Sequence, residues 1–385
     1  MTFAVQMQSV AVGWQVYAVT GDTLDLGLIG LSQFLPFVIL VLPAGHVADR
    51  LDRRLILTSC FAVEALCAVL LLLYTLSGIT AVWPVFTVLV FFGCARAFSM
   101  PTSQAITPNL VPGVAFPNAV ALNSSTFHIA TIAGPAAGGM LYVLGPDTVY
   151  STVGAVLLVA MVMMYRVRLP RIIRAPQPAS WHTLLEGLRF VWSRPVVLGA
   201  ISLDLFAVLF GGATAMLPAY ARDVLHIGPQ GLGWLRAAPA IGASITAALL
   251  AWHPIYRRVG HWMFSGVAVF GLSIIVFGLS GNFMLSLICL IFLGGSDMVS
   301  VYIRHLLVQL ETPDEIRGRV SAVNAVFIGA SNELGEFESG VTATWFGLIP
   351  SVVIGGAATL AVTAIWVRLF PALARMDRLP ARHEP

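Results

Sequence analysis

The sequence predicts an all-α integral membrane protein with twelve transmembrane helices in two bundles of six. The first observation is composition: hydrophobic residues make up 58% and charged residues 10% of the 385 residues, and mean hydropathy is +0.88. A soluble domain contains about 25% charged residues. The second is that apolar runs recur along the whole chain, each near the roughly 20 residues that cross a bilayer as a helix. The third is a single long polar break near the middle of the chain.

Twelve apolar runs define the predicted helices, in order, at residues 1–19, 27–44, 55–77, 82–108, 118–144, 147–167, 196–221, 230–252, 262–280, 283–308, 319–346 and 350–370. The polar break divides them into an N-terminal six-helix bundle (1–168), a cytoplasmic linker (169–195), a C-terminal six-helix bundle (196–370) and a cytoplasmic tail (371–385), as in a transporter built from parallel repeats. In the linker, an apolar stripe over 181–194 predicts an amphipathic helix on the membrane surface.

The arginines predict the orientation of the chain. Every basic residue is Arg, and seventeen of the 21 lie in the loops that follow even-numbered runs, in the linker, in the tail, or at the run ends that border these regions. The positive-inside rule therefore places these regions and both termini in the cytoplasm. The first run has no charged residue before Asp22 to anchor its cytoplasmic end. We expect residues to be missing before Met1, so that the first helix is truncated.

Several classes of function are excluded by the same composition. The chain contains no Lys, so it has no P-loop, which needs GK[ST] to reach nucleotide phosphates. The net charge of +3 gives no basis for nucleic-acid binding. The four cysteines all lie in apolar runs and suggest neither a disulfide framework nor a metal site. Motifs of metalloproteases and serine hydrolases are absent from the sequence. We predict a non-enzyme without cofactor or metal, driven by a gradient.

A loop between the second and third runs gathers charge into one short stretch, GHVADRLDRR at 45–54. A tight loop needs a glycine for close helix approach, and Asp49 can cap a helix or accept hydrogen bonds from Arg53. We predict a cytoplasmic gate formed by Gly45, Asp49, Arg50, Arg53 and Arg54. The alternative is a positive-inside anchor whose acids are incidental.

This stretch resembles the G-x-x-x-D-R-x-x-R-R signature of the major facilitator superfamily. Three further stretches, 6–22, 203–225 and 312–340, are similar to its branch of transmembrane secretion effectors, which includes the bacterial enterobactin exporters. The resemblance covers the whole chain. It implies the twelve-helix fold of that superfamily and a bacterial inner-membrane exporter that uses the proton gradient. In such a fold a charge cluster latches two halves in one conformation and releases them in another.

Two membrane-embedded motifs add to this resemblance. Arg96, near the middle of the fourth run, resembles the superfamily's intramembrane arginine, which is implied to perturb the proton affinity of a nearby acid. The alternative is a structural hydrogen bond to neighbouring carbonyls. AGPAAGG at 133–139 is similar to the G-P-x-x-G-G part of the antiporter signature, through Gly134, Pro135, Gly138 and Gly139. Plain close packing of small residues explains that stretch nearly as well.

Other ionisable residues inside the runs are also candidates, because a charge at a helix centre costs a few kcal/mol on insertion scales. Glu333 and Glu336, three residues apart, share one helix face. Asp297 and Arg304 are two turns apart, about 10 Å by helical rise, so each is expected to meet a neighbouring helix. Asp204 in the seventh run completes the candidates for proton coupling or substrate binding. The alternative is a salt-bridge network that only holds helices together.

These observations favour a proton-coupled secondary exporter of small organic molecules, siderophore-like or drug-like, working by alternating access in the bacterial inner membrane. Its expected partners are the cargo, protons and the bilayer, with no nucleic acid, and we expect a monomer. One alternative is a nutrient importer of the same fold. Another is a non-transporting membrane assembly protein or receptor, which would not need the membrane-buried acids.

Overall fold

The computed structural model describes residues 1–110, 112, 115–167, 181–313 and 316–379. Within the helices, side chains are described except at residues 41, 42, 45, 46, 48–50, 104, 105, 107–109, 117, 181–185, 317, 318, 322 and 325. All regular structure in these described ranges is helical. The prediction of an all-α protein is therefore confirmed.

Fifteen helices follow one another in this part of the chain: α1 Thr2–Thr20, α2 Thr23–Arg50, α3 Arg53–Ser77, α4 Trp83–Leu110, α5 Phe116–Tyr142, α6 Pro146–Arg166, α7 Trp181–Ser193, α8 Pro195–Phe210, α9 Leu217–Ala219, α10 Pro229–Trp252, α11 Val259–Leu279, α12 Phe283–Glu311, α13 Arg317–Phe346, α14 Leu348–Leu369 and α15 Pro371–Ala374. Each of the twelve predicted apolar runs falls on a helix of this series.

Helix ends follow local sequence signals. Asp22 and Asp52 each accept a hydrogen bond of 2.9 Å from the backbone N–H two residues later, which caps α2 and α3. Gly21 and Gly78 end α1 and α3 in the left-handed conformation, with φ of 64° and 66°. Because α2 ends at Arg50 and α3 begins at Arg53, the charged stretch 45–54 is mostly helical, with a two-residue turn.

Within the described residues, nine helical stretches are long and apolar enough to cross a membrane. They are α2, α3, α4, α6, α8 with the turns that follow it, α10, α11, α12 and α14. The other three predicted runs correspond to α1, α5 and α13, which are of similar length but carry more polar residues. The predicted count of twelve is consistent with this arrangement.

The seventh predicted run, 196–221, is not one continuous α-helix. α8 ends at Phe210, and the chain continues through a 3₁₀ turn at Gly212–Met216, the short α9 and a π-helical turn at Tyr220–Val224. A Cβ at Gly212 would meet the backbone carbonyl of Gly335 on α13. The irregular segment thus begins where the backbone at Gly212 contacts the backbone of α13. The spacing of apolar residues in the sequence does not indicate such an interruption.

The chain forms two compact units. The first consists of Met1–Ala179 and His226–Ala237. In it, α2 packs on α4, α3 packs on α4 and α6, and α1 packs on α5 and α6. Its core contains buried apolar side chains of α1, α3, α4 and α6, among them Met7, Leu71 and Leu157.

The second unit consists of Ser180–Leu225 and Ala238–Pro385. α11 packs on α12 and α14, and α8 packs on α12, α13 and α14. The amphipathic α7 also belongs to it, because Val191 is buried in a cluster with Val320 and Val323 of α13. Glu186 of α7 forms an ion pair with Arg319. The described inner face of the linker helix therefore packs on protein, while Trp192 is exposed.

Candidate functional site

A buried charge pair joins α8 to α12 in the second unit. Arg304 and Asp204 form an ion pair through Nη1 and Oδ2, and the two residues are 2% and 4% exposed. Arg304 therefore meets its acid on a neighbouring helix, as its distance from Asp297 had suggested. Removing one partner from such a pair leaves a buried charge without compensation, which is strongly destabilising. The pair holds α8 and α12 together as long as both side chains are charged.

The polar stripe of α12 extends beyond this pair. Asp297 lies two turns before Arg304 and is half-buried, about 10 Å away by helical rise. Ser300 lies between them, is 1% exposed, and its Oγ has no hydrogen-bond partner among the described residues. The stripe thus combines a charge that is held in a pair with an acid outside that pair.

The two glutamates of α13 are half-buried. Glu333 and Glu336 both take part in polar or electrostatic interactions. Between them, Gly335 packs directly on α8, since a Cβ there would lie 2.8 Å from the carbonyl oxygen of Leu209. Close backbone contact at Gly335 therefore fixes the section of α13 that carries both acids.

The glycines of the GPxxGG stretch bring α5 against α1 and against the first residues of α10, which belong to the first unit. A Cβ on Gly134 would lie 2.7 Å from Cβ of Gln6, and one on Gly138 would lie 2.8 Å from the carbonyl oxygen of Met7. Both contacts are with α1. On the other side, a Cβ at Gly139 would lie 3.0 Å from Cα of Gly233 in α10.

Pro135 lies inside α5, and its carbonyl oxygen is 2.6 Å from where a Cβ on Gly233 would be. Close packing is thus the observed role of this stretch, and a role in antiport stays a prediction.

The described part of the predicted gate ties α3 to the end of α6. Arg54 donates through Nη1 to the carbonyl oxygen of Val167 at 3.4 Å, and its guanidinium lies 5.5 Å from the ring centre of Tyr165. Arg53 is half-buried and takes part in a polar or electrostatic interaction. The remaining gate residues, Gly45, Asp49 and Arg50, lie outside the described side chains. The gate therefore stays a prediction.

Arg96 is half-buried on α4, and its charge acts on an acid that sequence reasoning missed. That acid is Glu64 on α3, which is 0% exposed and feels the guanidinium of Arg96 electrostatically. Neither carboxylate oxygen of Glu64 has a hydrogen-bond partner among the described residues. The signal was present in the sequence, since Glu64 interrupts the apolar run 55–77 at its middle.

A neutral hydrogen-bond network in the first unit was also missed. Tyr150 of α6 donates to Oε1 of Gln15 in α1 at 2.7 Å, and Nε2 of Gln15 donates to Thr75 of α3 at 3.0 Å. These polar residues occur singly in apolar runs, so no sequence spacing connects them. The network joins three helices without any charge.

No group of three or more His, Cys, Asp or Glu residues within metal-binding distance occurs in the described part of the chain. The cysteines described there are all free thiols, three of them buried. Each unit thus contains buried or half-buried charged side chains in apolar helices.

The sequence model of the transmembrane secretion effector family matches residues 2–384. The chain is 26% identical over 358 residues to the multidrug efflux pump Tap of Mycolicibacterium fortuitum, covering 88% of this chain and 85% of that protein. It is 25% identical over 355 residues to the enterobactin exporter EntS of Shigella boydii serotype 18, covering 88% and 84%.

The fold is similar to that of a solved bacterial homologue of the human lysosomal transporter Spinster. The TM-score is 0.71 at 14% identity, covering 97% of this chain and 95% of that one. At this identity the likeness bears on the fold alone.

Proposed function

This chain belongs to the transmembrane secretion effector family of the major facilitator superfamily, and from that premise we propose that it is a proton-coupled exporter of small organic molecules. It is a multi-pass membrane transporter and not an enzyme. The finer statements, on direction, cargo and coupling ion, are the proposal.

Export is supported by the names of the relatives. Both an enterobactin exporter and a multidrug efflux pump align with this chain over 88% of its length. For this chain we propose a siderophore-like or drug-like cargo, carried across the bacterial inner membrane by a monomer whose two termini are cytoplasmic. The predicted gate at 45–54 would then close the cytoplasmic side in one conformation, and the N-terminal (1–168) and C-terminal (196–370) bundles would be the moving parts.

The observation that carries the proposal is the buried pair of Asp204 and Arg304 with Asp297 on the same stripe. Charged side chains inside membrane helices are costly, and they typically belong to proton relays or substrate pathways. The pair also holds α8 to α12, and Asp297 is the acid of the stripe that lies outside this pair. Arg96, Glu333 and Glu336 extend this set of proposed coupling or cargo-binding residues.

The test uses inside-out membrane vesicles with an imposed proton gradient and a pH-sensitive dye. Enterobactin and the hydrophobic cation ethidium are the probes, and wild type is compared with Glu333→Gln. We expect probe-dependent proton efflux that the variant loses. Glu338→Gln, which alters a half-buried acid on the same helix, is the matched control and is expected to keep the efflux.

Three other outcomes contradict the proposal. Probe movement that ignores the gradient indicates a facilitator, and movement in the opposite direction indicates an importer. Absence of any response with either probe in well-expressed protein favours the non-transporting alternative.

For the gate, Asp49→Asn is expected to leave insertion intact and abolish transport, whereas normal transport by that variant would reduce 45–54 to a topological anchor.

A further inference from the structure

We propose that Glu64 of α3 is a proton-carrying carboxyl of the first unit, at which transport is coupled to the proton gradient. The inference deepens the proposed function and rests on it. Glu64 is not among the residues predicted from the sequence for proton coupling. The structure adds its complete burial and the lack of hydrogen-bond partners among the described residues.

The first step of the argument is burial without hydrogen bonds. Glu64 is fully buried, and among the described residues neither Oε1 nor Oε2 has a hydrogen-bond partner. An ionised carboxylate in such surroundings costs several kcal/mol, whereas the protonated acid is tolerated much better. A carboxyl that is not held by a fixed partner can take up or release a proton when a conformational change gives it access to water.

The second step is depth. α3 spans Arg53–Ser77, and Glu64 is its twelfth residue. With a rise of 1.5 Å per residue, Glu64 lies about 16 Å from the start of the helix. That distance is about half of the roughly 30 Å hydrocarbon core of a bilayer. A proton carried at this position is midway between the two aqueous phases.

The third step is the charged environment. Arg96 on α4 acts electrostatically on Glu64. Its titratable neighbours on α3 are Cys60 and Cys67, and Cys94 of α4 acts on Cys67.

On the other elements packed on α3, the described charges lie in the terminal turns, as in α6 with Asp147 in its first turn and Arg166 in its last. From α6, the buried Tyr150 donates its hydroxyl to Gln15 instead. The described side chains of α2 carry no charge beyond Asp25 in its first turn.

Among these neighbours, Arg96 is the residue that controls the protonation of Glu64. A cation close to a carboxyl favours its ionised form, so approach of Arg96 promotes release of the proton and its withdrawal promotes uptake. Arg96 is half-buried, so its long side chain has room to change position. In each cycle one proton passes from outer water to the carboxylate, and later from the carboxyl to cytoplasmic water, with no other bond formed or broken.

The first test is independent of cargo. The infrared spectrum of the purified full-length protein is recorded for wild type, Glu64→Gln and Glu64→Asp. We expect the wild-type spectrum to contain a C=O stretching band of a protonated carboxyl that Glu64→Gln loses and Glu64→Asp shifts in frequency. A spectrum in which Glu64→Gln leaves this band unchanged overturns the inference. If Glu64→Gln does not fold, an unshifted band in Glu64→Asp overturns it in the same way.

The second test measures coupling in proteoliposomes with ethidium as the probe. Glu64→Gln is expected to lose gradient-driven accumulation and to retain exchange of ethidium down its own gradient, because cargo binding stays intact while the proton is not carried. Glu64→Asp is expected to retain part of the accumulation, and Glu338→Gln all of it. Wild-type accumulation by Glu64→Gln overturns the inference even when the proposed function holds.

If the proposed function is wrong, the transport assay gives a different result. In that case wild type itself shows no gradient-driven accumulation of ethidium or enterobactin, and the coupling role of Glu64 falls with it. The infrared band then still decides whether Glu64 carries a proton.

Discussion

Glu64 on α3 and Asp204 on α8 are both buried acids in apolar helices, one in each compact unit, but their surroundings differ. Asp204 forms an ion pair with Arg304, whereas neither oxygen of Glu64 has a hydrogen-bond partner among the described residues. A paired acid is held in its charged form and contributes to the fold. An acid without such a partner contributes little to the fold and is available for proton exchange. Burial alone does not tell these two roles apart.

The sharpest way to test this contrast is the same chemical change, acid to amide, at both sites. Asp204→Asn leaves Arg304 buried without its counter-charge, and we expect a loss of about 3–5 kcal/mol in the free energy of unfolding. The measurement is reversible unfolding in mixed micelles, with the signal from tryptophan fluorescence.

The control for this prediction removes both charges. Asp204→Leu combined with Arg304→Met replaces the pair by apolar groups and is expected to recover most of the lost stability. A double variant as unstable as Asp204→Asn would show that the pair matters for reasons other than an uncompensated charge.

A neutral hydrogen bond gives the next largest effect. Tyr150→Phe removes the 2.7 Å hydrogen bond to Gln15 and leaves the ring in place, so we expect a loss of about 1 kcal/mol. The same unfolding assay measures it. A loss as large as that of Asp204→Asn would contradict the view that charge sets the size of the effect.

The ion pair between α7 and α13 is expected to matter less. Glu186 and Arg319 are each about 40% exposed at the side chain, and solvent-exposed pairs contribute about 0.5 kcal/mol. Glu186→Gln should therefore lower stability by no more than that, with a dependence on salt concentration. A larger loss that persists in high salt would indicate that α7 depends on this contact for docking.

The smallest expected effect is that of Glu64→Gln. The amide and the protonated acid have the same shape and similar polarity, so we expect a change close to zero in the free energy of unfolding. Unfolding in mixed micelles is compared directly with Asp204→Asn. If the two amides cost the same, Glu64 is also held by a stabilising contact and the contrast between the two acids does not stand.

Much of the fold was predictable because it depends on patterns within single segments. The apolar runs located the long helices. The N-cap of α3 is Asp52, whereas the sequence had suggested Asp49 as a capping residue, and Asp49 lies inside α2. The break after α8 was not predictable, because it depends on contact between Gly212 and Gly335, which are far apart in sequence.

The candidate site shows the same division. Asp204 and Arg304 were each singled out as costly charges in apolar runs, but their pairing depends on how α8 packs on α12. Glu64 had the same sequence signal as Asp204 and was passed over, because no motif surrounds it. Its distinguishing property is the lack of hydrogen-bond partners among the described residues, which only three-dimensional packing determines.

The contact between Gly139 and Gly233 has a consequence for how sequences of this kind diverge. Because each residue already has the smallest side chain and faces the other's backbone, a larger residue at one position cannot be compensated by a smaller one at the other. A pair of compensating substitutions at Gly139 and Gly233 is therefore not available. In a set of related sequences we expect two columns that vary little and show no covariation, so that statistics of correlated change would miss one of the tightest helix contacts in the unit.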